Sequence, residues 1–128
     1  LRQLCQEMHD LYVSFDVKDL QKAMFRQQSF PSVVMNPQDA HSAYIRGDVE
    51  LVRIRDAEGR IAAEGALPYP PGVLCVVPGE VWGGAVQRYF LALEEGVNLL
   101  PGFSPELQGV YSETDADGVK RLYGYVLK

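Results

Sequence analysis

Ala66-Leu67-Pro68-Tyr69-Pro70-Pro71-Gly72-Val73-Leu74-Cys75-Val76-Val77-Pro78-Gly79-Glu80 decides how this chain is read, because four prolines and two glycines flank a single apolar run. Each proline fixes φ and removes a backbone donor, so Pro68, Pro70 and Pro71 belong to a rigid extended bend and not to a helix or a central strand. The five apolar residues Val73 to Val77 then predict a short strand buried on both faces. Pro78-Gly79 ends it in a turn that presents Glu80 at the carboxyl end of the strand.

Upstream of the bend, Arg60 to Leu67 predicts a strand whose small residues Ala62, Ala63, Gly65 and Ala66 admit a close neighbour. Val49 to Arg55 predicts another, joined to it by the turn Asp56-Ala57-Glu58-Gly59. Before these come three helices. Leu1, Leu4, Cys5, Met8, Leu11 and Tyr12 recur at spacings of three and four, a single apolar stripe on a helix running to about Ser14. Asp16 is positioned to cap a second helix, with Val17, Leu20 and Met24 as its stripe, fading near Gln27-Gln28. Asn36-Pro37-Gln38-Asp39 holds a cap, a proline at the first helical position and an acid in the first turn, a start for a third helix that Gly47 closes.

Downstream, a fourth helix follows Gly83-Gly84, with Val86, Tyr89 or Phe90, Leu93 and Val97 inward and Glu94-Glu95 on the wet side, and Pro101-Gly102 follows its end. Leu107 to Ser112 and Val119 to Leu127 read as strands joined by the turn Asp115-Ala116-Asp117-Gly118. The sum is one α+β domain over residues 1–128: a small mixed β-sheet packed with about four helices, a helical N-terminal third and a C-terminal β-hairpin.

Composition agrees. With 128 residues, 47% hydrophobic and 23% charged, the chain suits one globular domain. A formal charge of -5 argues against a nucleic-acid or anionic-membrane surface, and no segment approaches the ~20 apolar residues of a membrane span. Cys5 and Cys75 fall on apolar positions as reduced thiols, which favours a disulfide-free, cytoplasmic protein. The first residues already lie on an amphipathic repeat with no cap ahead of them, so the chain reads as cut from something longer.

Few residues invite chemistry. The lysines Lys18, Lys22, Lys120 and Lys128 stand in polar surroundings or at the terminus, unsuited to an internal imine with pyridoxal phosphate. No P-loop or dinucleotide fingerprint is present, no Gly-x-Ser-x-Gly elbow, and His9 and His41 lack partners at metal-ligand spacing. No catalytic, cofactor-binding or metal residue is assigned. Glu80 is singled out, either presented to a cleft beside Tyr69 and Trp82 or capping the following helix. Trp82 reads as an interface or core anchor.

The run Leu67-Pro68-Tyr69-Pro70-Pro71-Gly72-Val73, continuing to Val77-Pro78-Gly79-Glu80, resembles the carboxy-terminal domain of bacterial fold-type I, pyridoxal-phosphate-dependent ornithine/lysine/arginine decarboxylases. Met35-Asn36-Pro37-Gln38-Asp39-Ala40 with Tyr44-Ile45-Arg46-Gly47, Glu58-Gly59-Arg60-Ile61, and Pro101-Gly102-Phe103 with Gly109-Val110-Tyr111 are similar to the same family. Val81-Trp82-Gly83-Gly84-Ala85-Val86, Tyr89 to Gly96 and Tyr44 to Leu51 are most like the ornithine enzymes. The resemblance implies a parent that converts L-ornithine to putrescine and carbon dioxide. Its pyridoxal phosphate would be bound outside this chain, since the family's imine lysine follows a Ser-x-His motif absent here. It also implies an accessory domain, inactive alone, that packs on the rest of the decarboxylase chain, supports a homo-oligomer and shapes the outer substrate channel.

Tyr69, Glu80 and Trp82 are the candidates to face that channel or a domain interface. The alternatives are a free-standing binding or regulatory module, a domain of a lysine or arginine decarboxylase, and a small enzyme using Glu80 as a proton carrier. An excised domain should also leave part of an apolar face uncovered, expected around Ala62 to Ala66 or Trp82.

Overall fold

The computed structural model describes residues 1–26, 30–69, 72–100 and 102–128. The predicted fade of the second helix at Gln27-Gln28, the Pro70-Pro71 pair of the bend and Pro101 lie outside them.

The helices form where local signals placed them. Helix α1 is Arg2–Ser14, α2 is Val17–Met24 and α3 is Pro37–Arg46. Helix α3 carries both predicted caps: Asn36 Oδ1 accepts the Gln38 N–H at 2.9 Å, and Gly47 closes the helix at φ 82°. Asp16 departs from prediction. It occupies the position before α2 with φ 51°, and its side chain makes no cap hydrogen bond, its backbone being left-handed where a capping residue is ordinarily extended.

Strand β1, Val49–Arg53, runs into a 3-10 turn at Ile54–Asp56. The hairpin forms as predicted, with β4, Tyr111–Thr114, and β5, Lys120–Leu127, joined through Asp115 to Gly118. The sheet order is β1-β5-β4, and among the described residues every strand pairing is antiparallel, so the expected mixed sheet is corrected to an antiparallel one. Its register runs from Val49 opposite Leu127 to Arg53 opposite Tyr123. Along β5, Leu122, Gly124 and Val126 are buried and alternate with half-exposed Arg121, Tyr123, Tyr125 and Leu127, a strand with one covered face.

Neither Arg60 to Leu67 nor Leu107 to Ser112 forms one continuous strand. Arg60 to Ala66 makes only single bridges, Ile61 to Val81, Ala62 to Val126 and Ala66 to Val76. Pairing continues only at β2, Leu67–Tyr69, with β3, Glu106–Gln108. In that two-stranded sheet Pro68 needs no donor to a second neighbour, which is why proline is tolerated. The long strand expected over Leu107 to Ser112 is broken at Gly109, φ 78°, where a Cβ would stand 1.9 Å from the Gly65 carbonyl oxygen. The small residues of 62–66 do admit a close neighbour: the turn at Gly109.

Helix α4, Gly84–Leu99, is the centre of the molecule. Val86 and Leu93 are buried as predicted, Tyr89 and Phe90 are both buried, Val97 is half-buried, and the buried four pack with Ile54, Val76, Trp82, Leu122 and Val126. Glu94 is corrected: it is 2% exposed, and its Oε2 accepts the Leu122 N–H at 2.8 Å. Its neighbour Glu95 does face solvent, 3.8 Å from Arg55 Nη2. Asn98, one turn on, accepts the Lys120 N–H at 2.8 Å and donates to the Lys120 carbonyl at 2.9 Å. The last two turns of α4 are thus clamped to the start of β5.

Candidate functional site

The segment that decides the sequence reading wraps one side of the core. After β2, Gly72 adopts φ 81° beneath the Tyr69 ring, and its N–H donates to the Pro68 carbonyl at 3.0 Å. Val73 and Leu74 are each 48% exposed, so the predicted strand buried on both faces does not form. Only Cys75 and Val76 turn inward, tied to Ala66 by the Ala66 N–H to Val76 carbonyl bond at 2.9 Å and the Cys75 N–H to Ala66 carbonyl bond at 2.9 Å. Among the described residues no strand pairs with the outer side of the apolar run, and Val73 and Leu74 face solvent.

Glu80 closes the turn that follows. Its Oε1 accepts the Val77 N–H at 2.6 Å, and its own N–H donates to the Val77 carbonyl at 3.0 Å. The carboxylate is spent on its own turn and does not cap α4, whose N-cap position is Gly83. Gly79 explains the sharpness. At φ 94°, a Cβ there would sit 2.2 Å from the Met35 carbonyl oxygen, while the Gly79 carbonyl accepts from both Val34 and Met35. The strip 79–82 is stitched on both sides, to 32–35 and to 60–62, through Val81 N–H to Ser32, Ala62 N–H to Glu80 and Trp82 N–H to Arg60.

The three singled-out residues do not converge. Tyr69 is 52% exposed at the end of β2, Glu80 is half-buried in its turn, and Trp82 is 2% exposed in the core, edge-on to Phe90 at 5.5 Å. The uncovered apolar surface expected around Ala62 to Ala66 or Trp82 is likewise elsewhere, since Ala62, Ala63, Ala66 and Trp82 are all buried. It lies on α1, where Leu1 is 97% exposed, and at Phe25, Phe30, Val33, Val34, Val73 and Leu74.

A cavity of about 500 Å³ opens between α2 and the bend. Cys75, Met24 and Tyr89 form its apolar floor, and Lys18 and Lys22 stand on its α2 side. Burial raises the Tyr89 hydroxyl above its ordinary pKa, partly opposed by the hydrogen bond from Gln21 Nε2 at 3.3 Å, and pushes the Cys75 thiol up to about 11. The sequence signal for this cavity was the placing of Cys75 as a buried hydrophobe. Nothing in the sequence marked Arg53, whose Nε and Nη2 are buried with no hydrogen-bond partner among the described residues. On the outer face of the sheet, Tyr111 donates to Glu64 Oε2 at 2.7 Å, which raises its pKa to about 12, and the same carboxylate raises Tyr44.

Pyridoxal phosphate does not fit these residues. All four lysines are exposed, and none lies in an enclosed site with donors to hold a phosphate. Among the described residues no three His, Cys, Asp or Glu side chains converge as metal ligands, and no helix is long and apolar enough to cross a membrane.

Comparison with known proteins places the domain. The family model for the Orn/Lys/Arg decarboxylase C-terminal domain matches residues 18–128. The chain is 74% identical over its full length to the inducible ornithine decarboxylase of Escherichia coli K12 and 65% identical over 99% of its length to the ornithine decarboxylase of Haemophilus influenzae. It spans 17% and 18% of those proteins. The structure of the constitutive lysine decarboxylase of Escherichia coli superposes with a TM-score of 0.80 at 32% identity, over 96% of this chain and 17% of that one. The solved relative and this chain share the fold over that span, and the chain belongs to the Orn/Lys/Arg decarboxylase family as its C-terminal domain.

Proposed function

We propose that this chain is the C-terminal domain of a decarboxylase acting on L-ornithine to give putrescine and carbon dioxide, and that the domain itself turns over no substrate. The observation that carries the substrate is the gap in identity, 74% and 65% to two ornithine decarboxylases against 32% to a lysine decarboxylase over the same domain. The lack of any lysine suited to an internal imine supports an accessory role, with pyridoxal phosphate held by the larger part of the parent in the cytoplasm. The domain's contribution is placement: it packs on the remainder of the decarboxylase chain, supports its homo-oligomer and borders the outer substrate channel.

Within that role Tyr69 is the residue proposed to face the channel or a domain interface, being aromatic, half exposed and held over Gly72. Glu80 and Trp82 are proposed to support that interface at a distance, through the placement of the strip 79–82. The first fixes the turn behind it, and the second anchors the strip 79–82 to α4.

The test is carbon dioxide release from ornithine with added pyridoxal phosphate. The 128-residue chain is expected to release none above background, and the full decarboxylase carrying it is expected to prefer ornithine to lysine. Turnover by the 128-residue chain overturns the accessory role, and a preference for lysine overturns the substrate. Tyr69→Ala in the full enzyme is expected to raise KM more than it lowers kcat.

A further inference from the structure

Helix α1 is built to be covered along its whole apolar stripe, yet the domain covers only its end. Leu11 is buried, and Gly96 of α4 provides the notch: a Cβ there would lie 2.9 Å from Leu11 Cδ2 and 2.9 Å from the Phe103 ring. Tyr12 meets the same Phe103 ring edge-on at 6.5 Å. The stripe continues back along the helix through Met8, Cys5, Leu4 and Leu1, and there the domain stops. Met8 is half-buried, Leu4 is 37% exposed, and Cys5 and Leu1 are exposed. At about 1.5 Å rise per residue the overhanging apolar line is roughly 10 Å long. Isolated helices of this length are marginal in water, and most of their stability comes from packing such a face.

Two further observations say what covers it. The family match starts at residue 18, beyond α1, whereas the 74% identity to a protein about six times longer runs through α1. The helix therefore belongs to the longer decarboxylase without belonging to the domain proper. On the opposite face Gln3 pairs with Glu7 and Gln6 with Asp10, a solvated side that fixes which face is left to dock.

We infer that α1 is the docking helix that fastens this domain to the larger part of the same decarboxylase chain, its last turn seated on Gly96 and Phe103 and its first two turns, through Leu1, Leu4, Cys5 and Met8, seated on an apolar surface of that larger part. This rests on the reading of the chain as one domain of an ornithine decarboxylase.

Hydrogen exchange tests it in the full decarboxylase and in the 128-residue chain side by side. Amides of residues 2–8 are expected to exchange at least about tenfold more slowly in the full enzyme, while those of α4 and β5 are unchanged. Leu4→Asp with Met8→Asp is expected to abolish that added protection. Gln3→Asp on the solvated face is expected to keep it, which controls for helix propensity. Equal exchange in the two proteins overturns the inference, as does protection that grows with the concentration of the 128-residue chain, which would assign the face to a second copy. Ornithine turnover, measured on the same samples, separates the two levels: turnover with unprotected α1 sinks the docking alone, and protected α1 without turnover on ornithine sinks the substrate reading alone.

Discussion

At Cys75, burial beside the Val73 carbonyl, 3.6 Å from Sγ, raises the thiol pKa from 9.0 to about 11. Below pH 9.0 the thiol is neutral whether the chain is folded or not, and its contribution to stability is fully present. As pH rises from 9.0 to about 11 the unfolded chain releases this proton and the folded chain does not, so stability falls across that window. Urea midpoints measured through it should decline less steeply for Cys75→Ala than for the unmodified chain. Cys5 is exposed, and a thiol reagent at neutral pH should label it at least about tenfold faster than Cys75. Gly109 and Gly118 offer a second contrast. Both have positive φ, but a Cβ at Gly118 meets open space and one at Gly109 meets the Gly65 carbonyl. Gly118→Ala should cost about 1 kcal/mol in urea unfolding. Gly109→Ala should cost more than about 3 kcal/mol, because the backbone of 65–66 has to move as well.

The elements that were legible in the sequence are those whose signals are local. Asn36-Pro37 and Gly47 bound α3, and Asp115 to Gly118 turn the hairpin, through contacts within a few residues. Asn36→Ala should therefore lower stability by about 1 kcal/mol, the ordinary cost of a lost cap. What was not legible depends on partners far away in the chain. Arg60 to Ala66 has the composition of a strand, but its neighbours are single bridges and the turn at Gly109, so no ladder forms. Val73 to Val77 is apolar throughout, yet Val73 and Leu74 remain about half exposed. Glu94 looked solvated from helical periodicity because β5, which buries it and donates a hydrogen bond to it from the Leu122 N–H, lies 28 residues away. Glu94→Ala leaves the Leu122 N–H buried without an acceptor and should cost about 1–3 kcal/mol. Glu94→Gln keeps an acceptor oxygen and should cost distinctly less, both read from urea midpoints.

Over the whole molecule, the core is closed around α4 while apolar side chains remain outside on α1, on Phe25 and Phe30, and along Val73-Leu74. The candidate site was legible as a segment and not as a constellation: the turn at Pro78-Gly79 is where the sequence placed it, but Tyr69, Glu80 and Trp82 stand apart along the segment. Arg53 belongs to this scale too. Two of its buried nitrogens lack a partner among the described residues, and a buried donor without an acceptor costs about 1–3 kcal/mol. Arg53→Leu is therefore expected to leave the urea midpoint of the 128-residue chain unchanged or higher, and a fall of that size would show that the guanidinium is already satisfied.

The central strand of the sheet is β5, and its neighbour on one side is β1, so residue 127 lies against residue 49 and residue 123 against residue 53. Those pairings close loops over more than half of the chain, and the entropy of closing them falls due before any ladder bond rewards it. Refolding should accordingly be slow for a chain with this much helix. Helix content should recover first, and the near-ultraviolet signal of Trp82, which needs Gly124 and Ile54 in place around it, should recover last.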